Sequence, residues 1–146
     1  MTTPHAGTVT RYRAALEALG RQDIDAMASA YDEGVIAVDH AQQRTLQGLD
    51  EFRGWCEEWL AAFPDSRIAD LECHGAGDWT IARFAGTGTN HGPMGPMPPT
   101  DRPMRAELCA VARWRDGRIV EEHVYYDLYG VLAQLGHVPA MGAPAT

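Results

Sequence analysis

The chain has 146 residues, of which 45% are hydrophobic, and it carries a formal net charge of −8. This length and composition predict one soluble globular domain with its own core. The negative charge argues against nucleic-acid binding, because the sequence has no basic stripe that could neutralise phosphates. Neither a membrane span nor a signal peptide is expected. Cys56, Cys73 and Cys109 are widely spaced, so we interpret them as reduced cysteines of a cytoplasmic protein.

Two helices are predicted at the start of the chain, and the second of them is short. Thr8 is placed to cap the first, and Gly20 is placed to end it. Asp23 is placed to cap the second, which Gly34 would end. The second helix would bury Ile24, Met27, Ala28 and Tyr31. The β-branched run from Val35 to His40 then predicts a strand.

A third helix is predicted from Asp50 to Phe63, with Pro64 ending it. Its apolar residues recur at three- and four-residue spacing, which places them on one wide face. They are Leu49, Phe52, Trp55, Cys56, Trp59, Leu60 and Phe63. A face this wide and this aromatic suits a helix that covers a sheet.

After Pro64 the apolar period changes to two, which indicates strands. Four are predicted: Arg67 to His74, Trp79 to about Thr89, Met104 to Arg115 and Arg118 to Asp127. A glycine- and proline-rich loop lies within Gly86 to Pro103. Helices followed by an antiparallel meander predict an α+β fold, in which a curved sheet closes over the third helix as a cone with an internal pocket. The single domain would have its core at about residues 8–139, with loose termini at Met1 to Gly7 and His137 to Thr146.

Asp116-Gly117 predicts a two-residue hairpin turn, because both central positions of a type I′ turn need positive φ. Counting outward gives a pairing register. The predicted pairs are Ile119 with Trp114, Glu121 with Ala112, His123 with Ala110, Tyr125 with Leu108 and Asp127 with Ala106. All of these share one face, which is otherwise apolar and resembles a pocket wall.

Asp127 is the first catalytic candidate, because burial on that face would raise its pKa and make it a usable base. The alternative is that Asp127 only caps a helix from Leu128 to Leu135. His123 is expected to assist it, or else to be a pocket histidine without a chemical role. Tyr125 continues the same face, where it would orient substrate or simply pack.

Several short runs resemble one protein family. They are Asp116-Gly117-Arg118-Ile119, Tyr126-Asp127, Gln134-Leu135-Gly136, Phe63-Pro64-Asp65, and His91-Gly92-Pro93-Met94-Gly95 followed by Pro98-Pro99-Thr100. Together they resemble the SnoaL-like polyketide cyclases of the NTF2-like superfamily, over about residues 8 to 139. The chain departs from the family pattern at two positions. Val124 occupies the place of an acid in the family's Glu-His-Trp-Asp run, and Asp101 replaces a glycine.

The resemblance implies a cofactor-free enzyme, often a homodimer, that acts on an aromatic or polyketide-like small molecule. Ring closure by an intramolecular aldol reaction, or a related acid–base reaction, is the activity it implies. Two alternatives stay open, namely epoxide opening in the same pocket and a non-catalytic small-molecule-binding module.

Further residues are candidates for contact with substrate or for the pocket wall. His91 would contact substrate from the proline-rich loop, and His40 would do so from the end of the first strand. Tyr12, Trp55 and Trp59 would supply core and pocket wall. The hairpin register turns Arg105 and Glu107 toward an outer or dimer-facing surface. His74 and the cysteines lack metal-ligand spacing, and no phosphate-binding glycine loop precedes a helix, so neither metal nor nucleotide cofactor is expected.

Overall fold

The structure, a computed structural model, describes residues 4–142. Within this range it has four helices and six strands, which confirms the predicted α+β class. In chain order they are α1 (Pro4–Gly20), α2 (Ile24–Ala28), β1 (Tyr31–Asp39), β2 (Arg44–Gln47), α3 (Leu49–Ala62), β3 (Arg67–Ala76), β4 (Trp79–Thr89), β5 (Pro103–Arg115), β6 (Arg118–Tyr126) and α4 (Leu128–Leu135). None of the described helices has the length and apolar character needed to cross a membrane.

The strands form one curved sheet in the order β2-β1-β6-β5-β4-β3. Strands β3 to β6 make the predicted antiparallel meander. β1 pairs with β6 in parallel, so the first strand of the chain lies beside the last and the sheet is not wholly antiparallel. A parallel pair needs a long connection, which the rest of the domain supplies.

The helix boundaries differ from the sequence prediction at the N-terminus. α1 begins at Pro4, one turn before the expected cap at Thr8, so residues 4–7 are helical. Residues 1–3 and 143–146, parts of the expected loose termini, lie outside the described range. Asp23 caps α2 as predicted, accepting a 3.1 Å hydrogen bond from Ala26 N–H. Tyr31 and Gly34, however, belong to β1.

α3 packs its aromatic face against the sheet, as its sequence period predicts. Phe52 and Trp55 are buried, and stacked or edge-on ring contacts continue through Trp59 to Phe63. Gly88 of β4 permits the close approach of Phe63, because a Cβ at that glycine would lie 2.8 Å from Phe63 Cβ. The helix therefore closes the concave side of the sheet.

The β5–β6 hairpin has the predicted turn. Asp116 and Gly117 both have positive φ, 52° and 77°, as a type I′ turn requires. The first predicted pair, Trp114 with Ile119, is also present. Beyond it the register changes, because a β-bulge leaves Val120 without a partner.

The bulge makes the remaining predicted pairs wrong. Ala112 pairs with Glu122, Ala110 with Val124 and Leu108 with Tyr126. Because side chains alternate along a strand, a shift of one residue exchanges the two faces of β6. Glu122, Val124 and Tyr126 face the inside of the cone, whereas Glu121, His123 and Tyr125 face outward.

Candidate active site

An apolar cavity of about 110 Å³ lies between α3 and the inner face of the sheet. Most of its wall is aromatic or aliphatic. The aromatic lining residues are Tyr31, Phe52, Trp55, Trp59, Phe63, Phe84 and Tyr126. Both Trp55 and Trp59 line it, as expected for the helix that covers the sheet. Few polar groups reach this wall, and Glu122 is the carboxylic acid among them.

Glu122 is held in the wall by two phenols. Its side chain is buried, with 3% of the residue exposed. The Tyr12 hydroxyl donates to Oε2 at 2.5 Å, and the Tyr31 hydroxyl lies 2.9 Å from both carboxyl oxygens. Two donors leave lone pairs of the carboxylate unused, because an ionised carboxylate has about four acceptor positions.

Burial dominates the acid–base behaviour of Glu122. Loss of solvent disfavours the charged form and raises its pKa to about 7, although the hydrogen bonds from Tyr12 and Tyr31 act in the opposite direction. A carboxyl group that titrates near neutral pH is present in both forms under ordinary conditions. It can therefore accept a proton and return it.

A second buried carboxylate, Asp39, holds the polar groups of two other lining side chains in place. Its Oδ2 accepts hydrogen bonds from Trp55 Nε1 at 2.9 Å and from the Tyr126 hydroxyl at 2.7 Å. Its Oδ1 accepts from the Gln42 backbone N–H at 2.9 Å. Burial and the adjacent Asp39 raise the pKa of Tyr126, so its phenol stays protonated. Asp39 thus orients two side chains that line the cavity.

Asp127, the first catalytic candidate from the sequence, does not face the cavity. It is exposed and caps α4, its Oδ1 accepting a 2.9 Å hydrogen bond from Gly130 N–H. The expected burial was wrong because the bulge at Val120 changes the face of every residue after it. The capping role, which was the alternative, is the one the structure shows.

His123, Tyr125 and His40 also lie on the outer face. His40 shares a strand face with Ile36 and Val38, as predicted, but that face points away from the cavity. His40 Nε2 lies 2.8 Å from His123 Nδ1, and the His40 ring stacks on Tyr125 with ring centroids 4.4 Å apart. The structure brings these three candidates together, although not where substrate would be enclosed.

The remaining candidates lie in different places. His91 is exposed in the loop, with Nδ1 3.0 Å from Asp101 Oδ1, and it does not line the cavity. Tyr12 is fully buried and acts on the site through Glu122. Arg105 pairs at the surface with Asp70 and Glu107, on the outer face where it was expected.

Glu122, Asp39, Tyr31 and Tyr126 were missed from the sequence. For Asp39 a signal existed, because alternation along the predicted strand places it on the same side as the apolar Val35 and Ala37. For Glu122 the available sequence clue was the adjacent apolar pair Ile119-Val120, which breaks the alternation of the strand at the bulge.

The cone and its apolar cavity have the architecture of the NTF2-like fold. The sequence profile described as SnoaL-like polyketide cyclase matches residues 9–135, so the chain belongs to that family. No curated protein sequence matches the chain.

Solved structures with the same fold cover nearly the whole chain. A proposed SnoaL-like polyketide cyclase from Jannaschia sp. CCS1 has a TM-score of 0.84 and 17% identity, over 95% of this chain and 98% of that one. IdmH, a proposed polyketide cyclase from Streptomyces antibioticus, has a TM-score of 0.76 and 25% identity over 90% and 99%. A protein from Catenulispora acidiphila with a ketosteroid isomerase-like fold, solved with trimethylamine, has a TM-score of 0.72 and 24% identity over 98% and 100%.

Proposed function

We propose that the protein is a cofactor-free acid–base enzyme that closes a ring in a hydrophobic, oxygenated, polyketide-like small molecule, with Glu122 as its general base. The observation that carries this proposal is a buried carboxyl with a pKa of about 7 in the wall of an apolar cavity. Membership of a family of polyketide cyclases supports the reaction class.

The proposed reaction is an intramolecular aldol closure. Ionised Glu122 takes a proton from a carbon next to a carbonyl group, leaving an enolate. The enolate carbon attacks a second carbonyl of the same molecule, forming the carbon–carbon bond, and the resulting alkoxide takes the proton back from Glu122. Apolar walls favour this sequence, because a desolvated carboxylate is a stronger base than one in water.

Epoxide opening is the second candidate reaction for the same cavity. Glu122 would then activate a water molecule, and the Tyr126 hydroxyl would be the proton donor in the same wall. That hydroxyl, however, already donates its proton to Asp39 Oδ2 at 2.7 Å. Its proton is therefore engaged elsewhere, and for this reason we place ring closure first.

A surrogate reaction tests the base without knowledge of the natural substrate. The Kemp elimination of 5-nitrobenzisoxazole needs only a base that removes the ring C–H proton, after which the N–O bond breaks and a coloured phenolate is released. We expect the rate to rise with pH around pH 7, following ionisation of Glu122. Glu122→Gln should lose roughly a hundredfold or more.

Glu107→Gln is the matched control, because Glu107 is an exposed carboxylate on the neighbouring strand β5. It should retain the wild-type rate. Circular dichroism of each variant establishes that the fold is kept. A folded Glu122→Gln protein with the full wild-type rate would overturn the base assignment. Acceleration no greater than that of free acetate would favour a non-catalytic binding module.

A further inference from the structure

Two histidines meet on the outer face of the sheet, away from the cavity. His40 directly follows β1 and His123 lies in the parallel neighbour β6, with Val38 opposite His123 in the ladder. The backbone N–H of His40 donates a 3.0 Å hydrogen bond to the Val124 carbonyl, which fixes the end of β1 against β6. The strands therefore bring the two rings to one place.

The hydrogen bonds determine which ring nitrogen of His123 is free. Glu121 Oε2 lies 2.7 Å from His123 Nε2, and Arg113 Nε donates to Glu121 Oε1 at 3.1 Å. Because a carboxylate can only accept, His123 Nε2 carries the proton. In neutral His123 the lone pair is then on Nδ1, which faces His40 Nε2 2.8 Å away.

This spacing is close to that of two imidazole ligands on one metal ion. Metal–nitrogen bonds of about 2.0–2.1 Å in a tetrahedral site place neighbouring nitrogens about 3.3 Å apart. The observed 2.8 Å would need to open by only about half an ångström. His40 is exposed, so its ring can turn and its proton can move from Nε2 to Nδ1 without net release.

We propose that His40 Nε2 and His123 Nδ1 together bind a divalent transition-metal ion such as Zn²⁺ or Ni²⁺, with water at the remaining positions. Imidazole nitrogen suits these ions. Glu121 acts as a positioning residue, holding His123 in the required tautomer as carboxylates do for metal-bound histidines. The net charge of −8 also favours cation binding.

The proposed site takes two ligands from the protein, His40 and His123. Among the side chains that the structure describes, those of residues 7–142, no group of three or more from His, Cys, Asp or Glu could hold a metal ion. In the single chain, an ion bound here would thus keep several water ligands, unlike one in a closed structural site. The outer position keeps this site out of the cavity that Glu122 lines.

Calorimetric titration of the chelator-treated full-length chain with zinc chloride and nickel chloride tests the proposal. We expect one ion per chain in the wild type, and loss of that event in His40→Ala and in His123→Ala. Glu121→Gln should weaken binding by about 10- to 100-fold, as loss of a carboxylate that orients a ligand does. His74→Ala, at an exposed histidine on β3, is the matched control and should bind as the wild type does.

Nitrogen-15 NMR of the imidazole rings gives a second measurement that does not depend on affinity alone. Zinc should shift the nitrogen-15 resonances of His123 Nδ1 and His40 Nε2. The resonance of His123 Nε2 should remain that of a protonated nitrogen. Saturable binding that survives in the folded His40→Ala/His123→Ala double variant would overturn the proposal. Absence of a saturable event in the wild type would overturn it as well.

Discussion

The hydroxyl of Tyr12 donates a 2.5 Å hydrogen bond to Glu122, although 110 positions separate the two residues in the chain. The contact joins α1 to β6 at the wall of the cavity. Tyr31, which also lies in the N-terminal part of the chain, adds the second donor to the same carboxyl group. The proton affinity of Glu122 is therefore set partly by residues that no local motif connects to it.

Removing either phenol should raise the pKa of Glu122 further. Tyr12→Phe and Tyr31→Phe each delete a hydrogen bond that favours the charged form, while burial continues to oppose that form. Carbon-13 NMR titration of the glutamate carboxyl groups should show an upward shift in both variants. Tyr129→Phe is the control, because that hydroxyl donates to the Pro139 carbonyl and does not reach Glu122. An unchanged or lower Glu122 pKa in both phenol variants would contradict the network.

Asp127 should matter for stability and not for the reaction. Asp127→Ala removes the N-cap of α4 and should lower the free energy of unfolding by about 1 kcal/mol. Asp127→Asn should cost less, since Asn caps helices about as well as Asp does. Denaturant unfolding measures the first effect, and the Kemp elimination rate of the Asn variant measures the second. A large rate loss in folded Asp127→Asn would contradict this expectation and would show that Asp127 takes part in the reaction.

The sequence was informative wherever a pattern is local. The period of α3, the cap at Asp23 and the turn at Asp116-Gly117 each depend on a few neighbouring residues, and each was predicted correctly. The parallel pairing of β1 with β6 was not predictable in this way, because it joins residues far apart in the chain.

The candidate site shows how one irregular residue limits such a prediction. The turn and the first pair of the hairpin were right, and one unpaired residue, Val120, reversed the faces of everything after it. Val120 and Ile119 are both buried, so two adjacent apolar side chains break the strict alternation at this point. That pair was the available sequence clue to the bulge, although adjacent apolar residues also occur in regular strands.

The outer face of the sheet leads us to expect a homodimer. Ile36 and Tyr125 are large hydrophobic side chains on that face, 41% and 46% exposed in the single chain. A second copy would cover them in a two-fold arrangement. It would then also lie next to the His40–His123 pair, because the His40 ring stacks on Tyr125. Sedimentation velocity should show a dimer at micromolar concentration, and Ile36→Asp should shift it toward monomer. A wild-type monomer under those conditions would contradict the expectation.

The free energy of unfolding of the protein should depend on pH through the ionisation of Glu122. Burial raises the pKa of Glu122 from an ordinary 4.5 to about 7. Between these values the folded state holds a proton that the unfolded state has released, so unfolding becomes easier as pH rises. The contribution of protonated Glu122 to the free energy of unfolding is fully present below pH 4.5 and is lost by about pH 7. The change amounts to about 3 kcal/mol.

Glu122→Gln isolates this contribution, because glutamine keeps the shape of the side chain and does not titrate. Ionisable groups that do not interact with Glu122 affect both proteins alike, so the difference between their unfolding free energies reports Glu122 together with the groups coupled to it. Relative to the variant, the wild type should be most stable at and below pH 4.5 and should lose that advantage progressively up to about pH 7. Urea unfolding at a series of pH values measures the difference. A difference that stays constant over this range, or that grows with pH, would show that Glu122 is ionised in the folded protein throughout and would remove the basis for its action as a base near neutral pH.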